Sequence, residues 1–493
     1  MKLEWSSYKH FPYERELAFR EARSLVGSNL TLADDGSVIA NGGSVSSAQL
    51  LTYFSCVSDG SESYDTVQKR LEKSASFKER RQSTRYSVHG LHEYRGKFNP
   101  QVCRALMNIL GVSPGSLLLD PFCGSGTTLV EAAHRGVRAV GTDLNPLAVY
   151  IANAKLAALT TPAKRLLEGL ERIVTRSHQV SPAHDASGRM EYLRSWFEPE
   201  HLAEIEKTKI SIEDEAENKS FYLVIASNLI REFSLQDPAD LRIRRRPSAN
   251  TAEKFITIFQ KSAIEAIRKL EAAQGVVGTD LSVGQALYKD NRNLSEAEIG
   301  GAADIAITSP PYATALPYID TQRLSLVWLG LLDPKQIGVV ESDLTGSREM
   351  RSQEKKCAIE ALENNSDSLP GNEWEFCLSL KNALTSKDGF RRQAVPSLLY
   401  RYFLQMRKMF ESTSKCLKAG APFALIVGHN HTVLGGKRFD IDTPAHLVSL
   451  ANSVGWTTSE VTPLQAYQRF GLHASNAVQA ETLIVVRNGL PLR

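Results

Sequence analysis

Two short strings in this chain carry residue types that can do chemistry. The first is Asp120-Pro121-Phe122-Cys123-Gly124-Ser125-Gly126-Thr127-Thr128. Gly124 and Gly126 permit a tight turn and let a ligand approach the backbone, because neither carries a Cβ. A helix starting just after them offers N–H groups without intrahelical partners. Asp143 closes the next apolar run, with Asn145 two residues on, and a carboxylate at such a place can accept both hydroxyls of a ribose. A dinucleotide site wants G-x-G-x-x-G, but Leu129 stands where the third glycine belongs. Asp120 would also sit badly beside a pyrophosphate, whereas a sulfonium or an α-amino group suits it. The second string is Thr308-Ser309-Pro310-Pro311-Tyr312. Its prolines stiffen the turn and remove N–H donors, which leaves the Ser309 hydroxyl and the Pro310 carbonyl as acceptors. Two acceptors can hold the hydrogens of an exocyclic NH2 and aim its lone pair, and Tyr312 can stack on the ring that bears it. Taken singly, the first string also reads as a plain tight turn and the second as a proline turn over a buried tyrosine.

Together the strings resemble the DPFxGSGTT and (S/D/N)PPY motifs of the DNA amino-methyltransferases, which act at N4 of cytosine or N6 of adenine. The resemblance implies S-adenosylmethionine as cofactor. It places Asp120, Pro121, Phe122, Cys123, Gly124, Ser125, Gly126, Thr127, Asp143 and Asn145 around that cofactor, and Ser309, Pro310, Pro311 and Tyr312 at the reacting base. His92–Pro100 looks like the family's motif X, in which Lys97 would meet the methionine carboxylate and Phe98 would pack the ligand. Lys289-Asp290-Asn291-Arg292 partly matches motif III, whose Asp, here Asp290, binds the adenine amine. Serine at the head of the catalytic motif is commoner in the N4-cytosine enzymes, so cytosine is favoured over adenine. Methylation at C5 needs a cysteine nucleophile, usually in a Pro-Cys loop, and the chain has no Pro-Cys pair. A base inside a duplex must be flipped out to be reached. The implied partners are double-stranded DNA and, at the level of the family, a cognate restriction or defence protein. An RNA or tRNA base methyltransferase uses similar motifs and stays open as an alternative, as does a nucleotide-binding regulator without catalysis.

The elements that must position these residues follow from periodicity. Short apolar runs at Ser116–Asp120 and Arg138–Asp143 read as buried strands, and helical patterns follow each. Strand, helix, strand, helix at this rhythm predicts a doubly wound, mostly parallel sheet, the Rossmann-like class I methyltransferase fold of the resemblance. Further strands are expected at Asp304–Thr308, in APFALIVG and in ETLIVVR, and helices at Tyr400–Leu417 and Pro444–Val454. We divide the chain into a mixed N-terminal region (1–85), the cofactor half (86–156), a helical insertion (157–281) and the catalytic half (282–493). The stretch at about 335–398 reads as a second, polar insertion poor in periodicity, partly loop. The helical insertion lies where the familiar orders of this family do not put their recognition domain. It contains Arg242, Arg244, Arg245 and Arg246, which we expect to touch DNA phosphates from an extended stretch. The basic run Lys69–Arg85 and the 335–398 stretch are the competing sites.

Composition sets the outer bounds. The 493 residues exceed one simple domain, and 42% hydrophobic with 23% charged residues can bury a large core. A net charge of +3 does not by itself demand a nucleic-acid partner. No run approaches the roughly 18 apolar residues of a membrane span. The first 25 residues are charged throughout and lack an apolar core, so no secretory signal is expected and the cytoplasm, on the nucleoid, is the expected location. The six cysteines show no metal-binding spacing, and no metal is expected.

Overall fold

The computed structural model describes residues 1–73, 82–94, 96–181, 185–215, 217–238, 240, 243–249, 251, 253–313, 319–465 and 480–489. Two sheets dominate. The N-terminal one is built from β1 (Lys2–Trp5), β2 (Leu30–Leu32), β3 (Val38–Ala40), β4 (Phe54–Ser58) and β5 (Ser63–Asp65). They pair antiparallel in the order β2-β3-β1-β4-β5. Each strand is three to five residues long, too short for an alternating pattern to stand out, so the residues alone show this region only as mixed. This region also holds the helix Pro12–Val26.

The central sheet carries β6 (Leu117–Asp120), β7 (Arg138–Asp143), β8 (Gln285–Tyr288), β9 (Ile305–Thr308) and β10 (Pro422–Gly428). A small hairpin follows, β11 (Asn430–Leu434) and β12 (Lys437–Ile441), before β13 (Trp456–Gln465) and β14 (Ala480–Asn488). The central order is β13-β14-β10-β9-β6-β7-β8. The five strands from β8 to β10 are parallel, and β14 runs antiparallel to both its neighbours. This is the expected Rossmann-like, doubly wound fold. Its parallel strands are buried because helices cover both faces, as β9 shows with all four residues buried. The chain order reverses between β6 and β9, and a crevice opens beyond the carboxyl ends of strands at such a switch point. Asp120, Asp143 and Thr308 end β6, β7 and β9 there.

The segment 157–281 is helical, as its periodicity predicts: Ala163–Ser177, Gly188–Arg194, Pro199–Glu213, Lys219–Leu229 and Phe255–Val277. It leaves the sheet after helix Pro146–Thr160 and returns at β8, which pairs with β7. β8 escapes sequence reading because four residues with one buried side chain give no strand signal. The stretch 335–398, expected to be poor in periodicity and partly loop, is mostly helical. Helices span Ile337–Asp343, Ser352–Asn364, Gly371–Asn382 and Phe390–Gln393, leading into the long helix Val395–Cys416. Ile337 and Leu344 join one core cluster and Leu362, Leu369, Cys377 and Leu380 another, so its buried apolar residues are too scattered to form a stripe that stands out. Among the described residues no helix is long and apolar enough to cross a membrane.

Candidate active site

A cavity of about 340 Å³ opens at the switch point, within the size range of small-molecule sites. Lys97, Phe98, Phe122, Gly124, Asp143 and Asn145 line it together with Ser309, Pro310, Pro311 and Tyr312. The two strings, nearly two hundred residues apart, thus share one space. They are also bonded directly: Thr308 Oγ1 donates to Asp120 Oδ1 at 2.6 Å.

The glycine turn is held from below. Gly124 and Gly126 have φ of +49° and +81°, and a Cβ on Gly126 would come within 2.8 Å of Ala152 Cβ. A Cβ on Gly124 would press on the Tyr94 ring at 3.2 Å. Lys155, fully buried, donates to the Ser125 carbonyl at 2.8 Å, and burial pushes its pKa well below the usual lysine value. Asp143 accepts from Gly124 N at 3.0 Å and from Asn145 N at 2.7 Å. Asp120 accepts from Phe122 N at 3.1 Å. Burial raises both carboxyls to about 6. Asp120, Cys123, Ser125 and Thr127 lie in a narrower recess beneath the turn. Pro121 and Gly126 contribute backbone alone: the Pro121 carbonyl accepts from Thr142 Oγ1 and Asn291 Nδ2, and Gly126 caps the helix Thr127–His134.

Lys97 Nζ donates to the Thr84 and His89 carbonyls at 3.1 and 2.9 Å, and burial lowers its pKa to about 8. The segment that carries it is pinned through Glu131, whose carboxylate is fully buried. Three groups bond the Glu131 carboxylate: Arg104 Nε at 2.7 Å, Tyr86 OH at 2.8 Å and His89 Nε2 at 2.7 Å. Burial opposes the charge on Glu131, but Arg104 and the two histidines hold its pKa well below the usual value. His89, Glu131 and His134 offer ligand atoms within 4.8 Å of one another. Arg104 already matches the single negative charge there, so a dication would add uncompensated charge to a dry interior.

On the other side, Ser309 Oγ donates to the Ile426 carbonyl at 3.3 Å, which leaves its lone pairs free to accept. Tyr312 OH donates to Glu481 Oε1 at 2.6 Å, and Tyr402 OH donates to the Pro311 carbonyl at 3.1 Å. Asn145 Nδ2 donates to Gln322 Oε1 at 2.7 Å in a buried pair that joins the end of β7 to the segment after the catalytic loop.

Two placements need correction. Asp290 does not line the cavity: its carboxylate is paired with Arg292 and caps a short 3-10 turn. Its neighbour Asn291 lines the cavity instead, with a buried Oδ1 that has no partner among the described residues. Arg246 is committed internally, donating to the Ser234 carbonyl from Nε and Nη2 and to the Glu232 carbonyl. Arg245 lies over the Trp196 ring at 5.7 Å, and Arg244 is exposed. Arg242 lies outside the described residues. In the competing basic run, Lys69 and Lys73 both pair with Asp65 and Arg85 pairs with Glu93. Sequence reading misses Asn291, Glu481, Tyr94, Lys155 and Tyr13, of which only Asn291 and Tyr94, inside the two weaker motif matches, leave any signal.

Comparison with known proteins meets this geometry. The profile of the RMKL-like methyltransferase domain matches residues 91–173, which span β6, the glycine turn and β7. The chain is a methyltransferase. Its resemblance to the type II enzymes extends well beyond that segment. The type II methyltransferase M.MvaI of Kocuria varians is 24% identical over 365 residues, 68% of this methyltransferase and 75% of that one. M.BsoBI of Geobacillus stearothermophilus is 23% identical, over 56% of this chain and 57% of its own. A tRNA (guanine(10)-N2)-dimethyltransferase of Methanothermobacter thermautotrophicus is 46% identical over 52 residues, 10% of this chain and 16% of its own. The methyl donor of this methyltransferase is S-adenosylmethionine, and the cavity fits it. Gly124 of the glycine turn lines the cavity, two carboxylates end adjacent strands, and the Asn291 Oδ1 is an acceptor awaiting an amine.

Proposed function

We propose that the chain methylates the exocyclic amine of a flipped base in double-stranded DNA, N4 of cytosine ahead of N6 of adenine, within a restriction-modification or defence system. The observation that carries this reading is the shared cavity, in which Ser309 and Tyr312 face the space that Asp143 and Lys97 also line. Bound S-adenosylmethionine supplies an electrophilic methyl on a sulfonium. Asp143 holds its ribose hydroxyls, Asp120 and Lys97 its amino acid end, and Asn291 Oδ1 accepts from its adenine amine. Ser309, with its proton turned to Ile426, accepts one hydrogen of the target NH2, and the Pro310 carbonyl accepts the other. The nitrogen lone pair then points at the methyl group, and the Tyr312 ring stacks on the base. No thiol takes part: burial pushes the Cys123 pKa well up. Positioning alone carries amine methylation. The long matches to M.MvaI and M.BsoBI support DNA as substrate. The short, closer match to the tRNA enzyme favours RNA as the second reading. The experiment is to incubate the protein and labelled S-adenosylmethionine with unmethylated plasmid DNA or with bulk tRNA, digest, and identify the methylated nucleoside by mass spectrometry. N4-methylcytosine from DNA is expected; label in tRNA alone overturns the reading.

A further inference from the structure

The N-terminal sheet region stands apart from the glycine turn and the catalytic loop, yet one of its side chains lines the cavity. Tyr13 stands in the wall with Phe98, Asn99 and Tyr312. It lies in the first turn of helix Pro12–Val26, and the ring of Phe11 stacks on it nearly parallel, centroids 5.7 Å apart at 8°. Both rings are partly exposed.

The helix explains why Tyr13 is there. One stripe, Glu14, Leu17, Ala18, Glu21 and Ala22, is buried. A neighbouring stripe at helical spacing, Tyr13, Arg20 and Ser24, turns to the methyltransferase core. Arg20 makes a two-pronged bond to Glu460 on β13, both at 2.6 Å, and Ser24 Oγ donates to the Asn108 carbonyl at 3.0 Å. With its far end fixed by those bonds, the stripe delivers its first residue to the cavity. The start of the helix is fixed as well. Pro12 occupies the first turn, and Glu14 accepts from Phe11 N at 2.7 Å, so the two rings are set before any ligand arrives.

From this placement we propose that Phe11 and Tyr13 form a stacking platform for the flipped target base, so that the N-terminal region completes the substrate end of the cavity. The proposal rests on the DNA reading above. A base leaving a duplex loses its stacking neighbours. Aromatic faces replace that loss without reading sequence. Tyr312 offers one face; the Tyr13 ring in another wall of the same cavity, backed by Phe11 behind it, offers a second, at little ordering cost because the ring is already held.

The test compares wild type with Tyr13→Ala, Tyr13→Phe and Phe11→Ala on unmethylated plasmid DNA. Affinity for S-adenosylhomocysteine is measured by calorimetry. The expected result is that Tyr13→Ala lowers kcat/KM for DNA about tenfold, that Tyr13→Phe stays within about twofold, and that S-adenosylhomocysteine affinity is unchanged. Phe11→Ala should fall between them. If Tyr13→Ala melts at lower temperature, Tyr13→Leu, which keeps bulk without a π face, takes its place with the same expectation. Wild-type kcat/KM in the Ala and Leu variants overturns the platform, and so does an equal loss of S-adenosylhomocysteine affinity, which would assign the ring to the cofactor end. A wild-type enzyme inactive on DNA overturns the underlying reading and this occupant with it.

Discussion

The two ends of the cavity are built differently. At the cofactor end, β6, the glycine turn, β7 and the Glu131 network all come from residues 86–156, and their polar groups are buried and mutually bonded. At the catalytic loop, Tyr312, Glu481 and Leu344 come from three distant parts of the chain, and the Tyr312–Glu481 bond lies at the surface. The first is built mainly from one continuous stretch, which Thr308, Asn291 and Gln322 then brace from outside. The second exists only after tertiary assembly, and its groups stay wet until a substrate displaces the water. Substitutions at the first end should therefore damage folding and cofactor affinity, and those at the second should damage turnover alone.

The largest effect belongs to the buried network. Glu131→Gln strands the Arg104 guanidinium, which is 1% exposed, at a cost of about 3–5 kcal/mol. Chemical denaturation should show the loss, and an unchanged midpoint would mean that Glu131 is no hub. Next, Ser309→Ala should reduce turnover on the order of a hundredfold with S-adenosylhomocysteine affinity intact, which separates the two ends in one measurement. Asp143→Ala should do the reverse, weakening that affinity about tenfold or more; calorimetry with a wild-type Kd would remove Asp143 from the site.

Affinity for S-adenosylmethionine should also follow pH with two limbs. Asp143 and Asp120 are charged above about 6 and Lys97 below about 8. Binding should thus be strongest between those values, weakening as pH falls through 6 and as it rises through 8. Lys97→Met should erase the alkaline limb and keep the acid one. If the alkaline limb persists in that variant, it belongs to the ligand's own amine. The smallest effect is expected from Arg244→Ala with Arg245→Ala. If these exposed side chains meet phosphates, the logarithmic salt slope of DNA binding drops by about 0.9 for each phosphate no longer neutralised. An unchanged slope assigns DNA binding to another surface.

The same contrast decides what could be read in the residues. The cofactor end is legible because its signals are contiguous: Arg138–Asp143 is a strand at the expected boundaries, and the glycines sit between strand and helix. The catalytic string is legible because two prolines before a tyrosine are a local arrangement. Tyr13 is not, because one aromatic residue on an amphipathic helix looks like any core side chain. Asp290 misleads because an acid in a suspected motif suits a cofactor as well as it suits Arg292. Helices between 335 and 398 escape because a few scattered buried apolar side chains, divided between two core clusters, are enough to anchor them. The arginine run is legible as extended backbone, but which guanidinium turns inward depends on the Ser234 carbonyl, and no spacing shows that.

The bond between Arg20 and Glu460 joins residues 440 positions apart. A ribosome adds about 5–20 residues per second, so about 20 to 90 seconds separate the synthesis of Arg20 from that of its partner. During that time the helix Pro12–Val26 has no β13 to rest on, while β6 and β7 can already pair. The newborn chain therefore passes through a stage with a formed cofactor turn and an unfinished substrate wall. The order of synthesis makes the Arg20–Glu460 brace among the last contacts behind the cavity wall to form, so a chain cut short before residue 460 would lack that brace while keeping the Ser24–Asn108 bond.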